Sequence, residues 1–132
     1  MNSGEASSAT LWMRAASGLE VLTGLGLVAA PSLLSRLLFG SGMDQIGDSV
    51  GRIAGLVMLC LAAACWPRAS EVESSQALAP LLALSVLAAL YLIFIGFNGT
   101  TVGVLLWPAA AAHGALAILL ARAWIESRRS AG

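Results

Sequence analysis

Apolar residues run along this chain in four long blocks, at about residues 11–30, 46–66, 77–97 and 102–124. Short polar stretches separate them. A helix rises ~1.5 Å per residue, so each block is long enough to cross the ~30 Å hydrocarbon core of a bilayer. Proline and glycine set the breaks. Pro31 closes the first block, because it lacks an N–H and clashes with the preceding turn. Just beyond it, Leu33, Leu34, Leu37 and Leu38 share one helical face and Arg36 lies off that face. Residues 32–39 therefore read as a short amphipathic helix lying in the interface, ended by Gly40-Ser41-Gly42. Pro67 closes the second block, and residues 68–76 read as a polar loop. Asn98-Gly99-Thr100-Thr101 predicts a tight turn, since Asn and Gly tolerate left-handed backbone. Residues 125–132 form a polar, basic tail. The pattern predicts an all-α fold: a transmembrane four-helix bundle with a short interfacial helix after span 1, as one domain over residues 1–132.

Composition sharpens this. Hydrophobic residues make up 58% of the chain and charged ones 11%, more apolar surface than a soluble domain of 132 residues could bury. All seven basic residues are arginine, and none of their groupings is large enough to suggest nucleic acid as a partner. The first ten residues are polar and carry Glu5 without a basic residue. Pro31 disfavours cleavage after Val28-Ala29-Ala30, so the first block reads as a retained span and not a signal peptide. Cys60 and Cys65 lie roughly 140° apart around one predicted helix, which suits neither a mutual disulfide nor a shared metal.

Arginine placement predicts orientation. With four spans, Arg14, Arg68, Arg122, Arg128 and Arg129 share one side, while Arg36 and Arg52 lie at the other. The excess places both termini in the cytoplasm of a cell with an inner membrane. Trp12, Trp66 and Trp124 fall at the same predicted boundary and Trp107 near the opposite one, the depth that amphipathic rings prefer.

Helices in lipid associate through close packing and interhelical hydrogen bonds. Gly47, Gly51 and Gly55 repeat at intervals of four at the start of span 2 and mark a face that another backbone can approach. That face serves either packing within the bundle or a homodimer seam. Ionisable groups at membrane depth suggest function or a specific pairing. Glu20 stands halfway along span 1, Arg52 about two turns inside span 2, and His113 in the middle of span 4; Tyr91 of span 3 lies at a comparable depth. Neighbours of Glu20 at three and four residues are Ala16, Ser17, Thr23 and Gly24, so its face looks inward. A carboxylate there needs a partner or stays protonated. Arg52 is the expected partner, its fork holding the carboxylate by two bonds. In the rival arrangement Arg52 pairs with Asp48, four residues earlier on its own helix. Glu20, Arg52, Tyr91 and His113 together form either a small-ligand site in an apolar frame or a structural polar lock.

Three segments carry a family resemblance: Gly18-Leu19-Glu20-x-x-Thr23-Gly24 with Pro31 after it, Gly51-Arg52-x-x-Gly55 with Cys65-Trp66, and Leu106-Trp107-Pro108 with His113. With them the chain resembles small bacterial four-helix membrane proteins, loosely DoxX-like. That resemblance implies an inner-membrane bundle, no settled activity, and partnership with redox systems. Glu20-Val21 in the first of four spans is also similar to the membrane-embedded glutamate of small multidrug exporters, but the rest of their pattern does not appear in spans 2 to 4. The leading expectation is a non-enzymatic membrane protein. It acts as an accessory subunit of a membrane complex, redox systems included, or binds a small lipophilic ligand at the polar cluster. A proton-coupled exporter using Glu20 is the alternative. No nucleophile, metal set or cofactor motif is visible. The expected partners are the bilayer and either a membrane complex or a second copy of the chain.

Overall fold

The computed structural model describes residues 3–67 and 71–130, with side chains described over 9–67 and 77–129. Helix α1 (Ser3–Ala29) carries the first apolar block, and α2 (Pro31–Phe39) follows it after a single residue. The chain turns by 118° between them. The hinge is Ala30, at φ −148° and ψ 66°. A residue before proline is pushed out of the helical region by the proline ring, so the break follows from the Ala30-Pro31 pair. Gly40 ends α2 at φ 79°, its N–H bonding to the Arg36 carbonyl at 3.0 Å, a left-handed stop for which glycine is the least strained residue.

Helix α3 (Gln45–Ala64) starts at Asp44, whose side chain accepts the Gly47 N–H at 2.7 Å and satisfies one of the free donors of the first turn. Helix α4 covers Glu71–Asn98 and α5 covers Leu106–Ser130. No strand occurs among the described residues. The chain is an all-α helical bundle. Over Gln45–Ala64, Ala77–Asn98 and Leu106–Arg129 the helices are long and apolar enough to cross a membrane, and the bent pair Ala9–Ala29 with Pro31–Phe39 makes a fourth if it counts as one span. This is the make-up of a multi-pass membrane protein.

Four boundaries differ from the hydropathy reading. Helix α1 already begins at Ser3, eight residues ahead of the first apolar block. Residues 71–76 belong to α4 and not to a loop, while residues 68–70 lie outside the described residues. Residues 125–130 extend α5, with Arg128 and Arg129 in its last turn, where cations suit the helix dipole. The Arg128 guanidinium sits 4.3 Å from the centre of the Trp124 ring. At the other end, α5 starts at Leu106 and not at 102. Apolar length bounds the part of a helix that suits lipid; it does not say where the backbone stops being helical.

Two helix pairs build the bundle, α1 on α3 and α4 on α5, with α1 also against α5 and α4. The first pair meets backbone to backbone. A Cβ built on Gly55 would lie 2.6 Å from the Gly24 carbonyl oxygen, and one built on Gly51 would lie 2.9 Å from Cβ of Pro31. Gly47 meets its own capping segment instead, Met43 and Asp44. In the second pair, Gly96 admits the Trp107 ring, which also packs edge-on against Phe97 with centroids 5.5 Å apart.

One core cluster joins the four long helices at the end where α1 begins, here called the near end. It holds Met13 and Ala16 of α1, Cys65 after α3, Leu78 and Leu81 of α4, and Leu120 and Ala123 of α5. Helix α2 lies at the far end, tied to the segment between α4 and α5. The Gly103 and Leu105 N–H groups donate to the Leu38 and Leu37 carbonyls at 2.9 and 2.8 Å, and the Thr101 hydroxyl donates to the Phe39 carbonyl at 2.9 Å. These carbonyls are the ones a helix end leaves unpaired. Ser32 ties the other end of α2 to α3: it donates to Asp48 Oδ1 at 2.8 Å and accepts the Met43 N–H at 3.1 Å.

Candidate functional site

Inward faces in this bundle are lined by alanine, leucine and glycine, and polar side chains buried there stand out. Ser17 and Glu20 come from α1, Ser85 from α4 and His113 from α5. Glu20 is 2% exposed and His113 7%. The core cluster sets their levels. Glu20 lies four residues beyond Ala16, and Ser85 four residues beyond Leu81, so both stand about 6 Å farther from the near end. His113 precedes Leu120 by seven residues on the oppositely running α5, about 10 Å along the axis and within a turn of Glu20. Glu20, Ser85 and His113 thus stand within about a turn of one another, and Ser17 about one turn nearer the near end than Glu20; these inward polar side chains, placed by three helices, are here called the polar band.

The band is incompletely bonded. Ser17 Oγ, Glu20 Oε2 and His113 Nδ1 are each buried without a hydrogen-bond partner. A buried polar atom left unpaired costs about 1–3 kcal/mol, so three together form a standing demand for donors and acceptors. Thr23, next on the α1 face, is satisfied within its own helix by donating to the Leu19 carbonyl at 2.9 Å.

Arg52 and Tyr91 do not join this band. Arg52 is exposed, and Tyr91 is 61% exposed on the outer surface of α4. Among the described residues, Arg52 forms an ion pair with neither Glu20 nor Asp48. The expected Glu20–Arg52 contact is therefore absent, and the reason is local. Gly51 and Gly55 take the inward face of α3, where Pro31 of α2 approaches the first and Gly24 of α1 the second. Arg52 follows Gly51 directly, which turns it about 100° away from that face. Asp48 is engaged elsewhere, by the Ser32 hydroxyl. Tyr91 likewise lies off the buried row Leu78, Leu81, Ser85, Ala89 and Leu92.

The glycine repeat was already a sign that Arg52 would miss the interior, since both readings compete for one helix face. Ser85 is the member that hydropathy passes over. Its signal is the one serine in the block 77–97, where Tyr91 carries the other hydroxyl. Cys60 and Cys65 are free thiols, the first exposed and the second in the core cluster. Among the described residues no group of three or more His, Cys, Asp or Glu is arranged to hold a metal ion.

Beyond the band, the lipid-facing surface carries many large apolar side chains, among them Leu22, Ile46, Ile53, Leu87, Phe94 and Ile118. Comparison of the chain with family models, with curated proteins and with solved structures finds no match.

Proposed function

We propose that this chain is a non-enzymatic protein of a bacterial inner membrane that binds a small lipophilic ligand through the band of Ser17, Glu20, Ser85 and His113. The observation that carries this reading is the set of three buried polar atoms without partners, on the inward faces of α1 and α5. A ligand with an apolar body and one or two polar groups would supply those partners and keep the apolar frame intact. The same band would serve an accessory subunit of a membrane complex, redox complexes included, where the bound molecule is shared with the larger assembly. That variant draws on the DoxX-like resemblance. Both termini are assigned to the cytoplasm and α1 to a fourth span. The arginine asymmetry supports this, as do Trp66 and Trp124, which sit on elements that meet at the near end.

Native mass spectrometry after gentle detergent extraction tests the reading. The expected result is a bound small molecule that the double variant Glu20→Leu/His113→Leu no longer retains. Bare protein from the source membrane, or retention unaffected by the double variant, would refute it.

One observation favours a second reading. Arg52, the expected partner of Glu20, is exposed outside the interior, so no guanidinium holds the Glu20 carboxyl that a proton-coupled exporter would use. Such an exporter would release protons when a lipophilic cation is added, and Glu20→Gln would abolish the release with the fold intact. Release that persists in that variant would end the exporter reading.

A further inference from the structure

On the far side of α1 from Glu20 lies a shallow, open groove of about 550 Å³, between α1 and Trp66, two residues beyond the end of α3. Arg14, Gly18, Leu19, Leu22 and Trp66 give it its character. Arg14 and Trp66 are both exposed. From Arg14 the groove runs along α1 to Leu22, eight residues or about 12 Å toward the membrane interior. Its chemistry changes along that path, from a guanidinium and an indole to aliphatic side chains. Gly18 lies midway. A Cβ built there would meet nothing within 4 Å, so the protein's own packing leaves that space free. Gly24 and Gly26 of the same helix differ: a Cβ on Gly24 would meet α3, and one on Gly26 would meet Leu34 of α2.

We propose that this groove seats one anionic phospholipid, with the phosphate on Arg14, the indole of Trp66 at headgroup depth and one acyl chain over Gly18 against Leu19 and Leu22. Charge complementarity selects this occupant. Arg14 has no acidic partner among the described residues, and a guanidinium fork matches a phosphate by two hydrogen bonds. An amphiphile with its anion at the near end and its chain toward the middle follows the same polar-to-apolar order as the groove. A second copy of this chain fits worse. Two-fold contact through this face would bring two Arg14 side chains into one apolar interface without counter-charge. The groove is on the opposite side of α1 from Glu20, so this site does not depend on the reading of the polar band.

The test uses the full chain in detergent, titrated with phosphatidylglycerol or phosphatidylcholine and read by native mass spectrometry. Wild type should retain one phosphatidylglycerol with about tenfold preference over phosphatidylcholine. Arg14→Gln should remove the preference. Gly18→Leu should lower retention of both lipids about tenfold, by filling the chain's path. The Cβ of that variant meets nothing within 4 Å, its side chain extends into the open groove, and leucine is a better helix former than glycine, so it should keep the thermal stability of wild type and report on the groove even if Arg14→Gln fails to fold. Equal retention of the two lipids by wild type would overturn the proposal. So would phosphatidylglycerol retention unchanged in Gly18→Leu, or a dimer that buries Arg14.

Discussion

Replacing Gly55 by alanine tests whether α1 and α3 truly meet backbone to backbone. The added methyl would lie 2.6 Å from the Gly24 carbonyl oxygen, 2.9 Å from Cβ of Leu27 and 3.0 Å from Cγ2 of Val28. None of these is the far end of a long flexible side chain, so relief requires the two helices to part. Forcing a methylene-sized group into a packed contact costs about 1–3 kcal/mol, and two of these three contacts involve backbone or Cβ atoms, which argues for the upper part of that range. Opposing this is the helix preference for alanine over glycine, about 1 kcal/mol. The net expectation for Gly55→Ala is a loss of about 1–2 kcal/mol. Gly114 provides the internal control. It lies within α5, and a Cβ there meets nothing within 4 Å, so Gly114→Ala should gain up to about 1 kcal/mol from the same preference. Reversible unfolding in mixed micelles, followed by helical circular dichroism or by steric trapping, would measure both. The reasoning fails if Gly55→Ala is as stable as Gly114→Ala, because the same methyl would then be free at both sites.

Three further outcomes follow from the geometry. Glu20 and Arg52 are not partners, so the effects of Glu20→Gln and Arg52→Gln on stability should add within about 0.5 kcal/mol in the double variant; a coupling above about 1 kcal/mol would show that they meet. Gly103→Ala should loosen the far end, since its methyl would run into the Leu37 and Arg36 carbonyls, and hydrogen exchange at the Gly103 and Leu105 amides should speed up by an order of magnitude or more; unchanged protection would contradict the tie between α2 and the α4–α5 segment. Ser32→Ala removes the hydroxyl that serves both Asp48 and the Met43 N–H, and should cost about 1–3 kcal/mol in the same unfolding assay; a neutral result would mean that water replaces both bonds without loss.

Hydropathy, proline and glycine were enough to place the elements of this protein. The apolar blocks mark the helices because the bilayer demands about 20 apolar residues wherever a helix crosses it. Pro31 marks the break after α1 because proline cannot continue the helix and constrains the residue before it, whereas the Asp44 cap at the start of α3 was not legible in the hydropathy pattern. Glu20 could be assigned to an inward face from its own helix alone, through Ala16, Ser17, Thr23 and Gly24, of which Thr23 is half-buried and the other three are buried. Helix ends beyond the apolar blocks were not legible, as residues 71–76 and 125–130 show, since polar sequence outside lipid is compatible with helix or loop.

What the tertiary structure alone decided is which polar residues share an interior. Depth in the membrane can be counted along each helix, and by depth Arg52, Tyr91, Glu20 and His113 are all candidates. Rotation about each helix axis is set by neighbours. The close approach of Pro31 to Gly51 and of α1 to Gly55 turns Arg52 outward, and the packing of α4 on α5 turns Tyr91 toward lipid while bringing in Ser85. A single helix rotates by about 100° per residue, so one step in sequence separates a buried position from an exposed one. Only contact with the other helices selects between them.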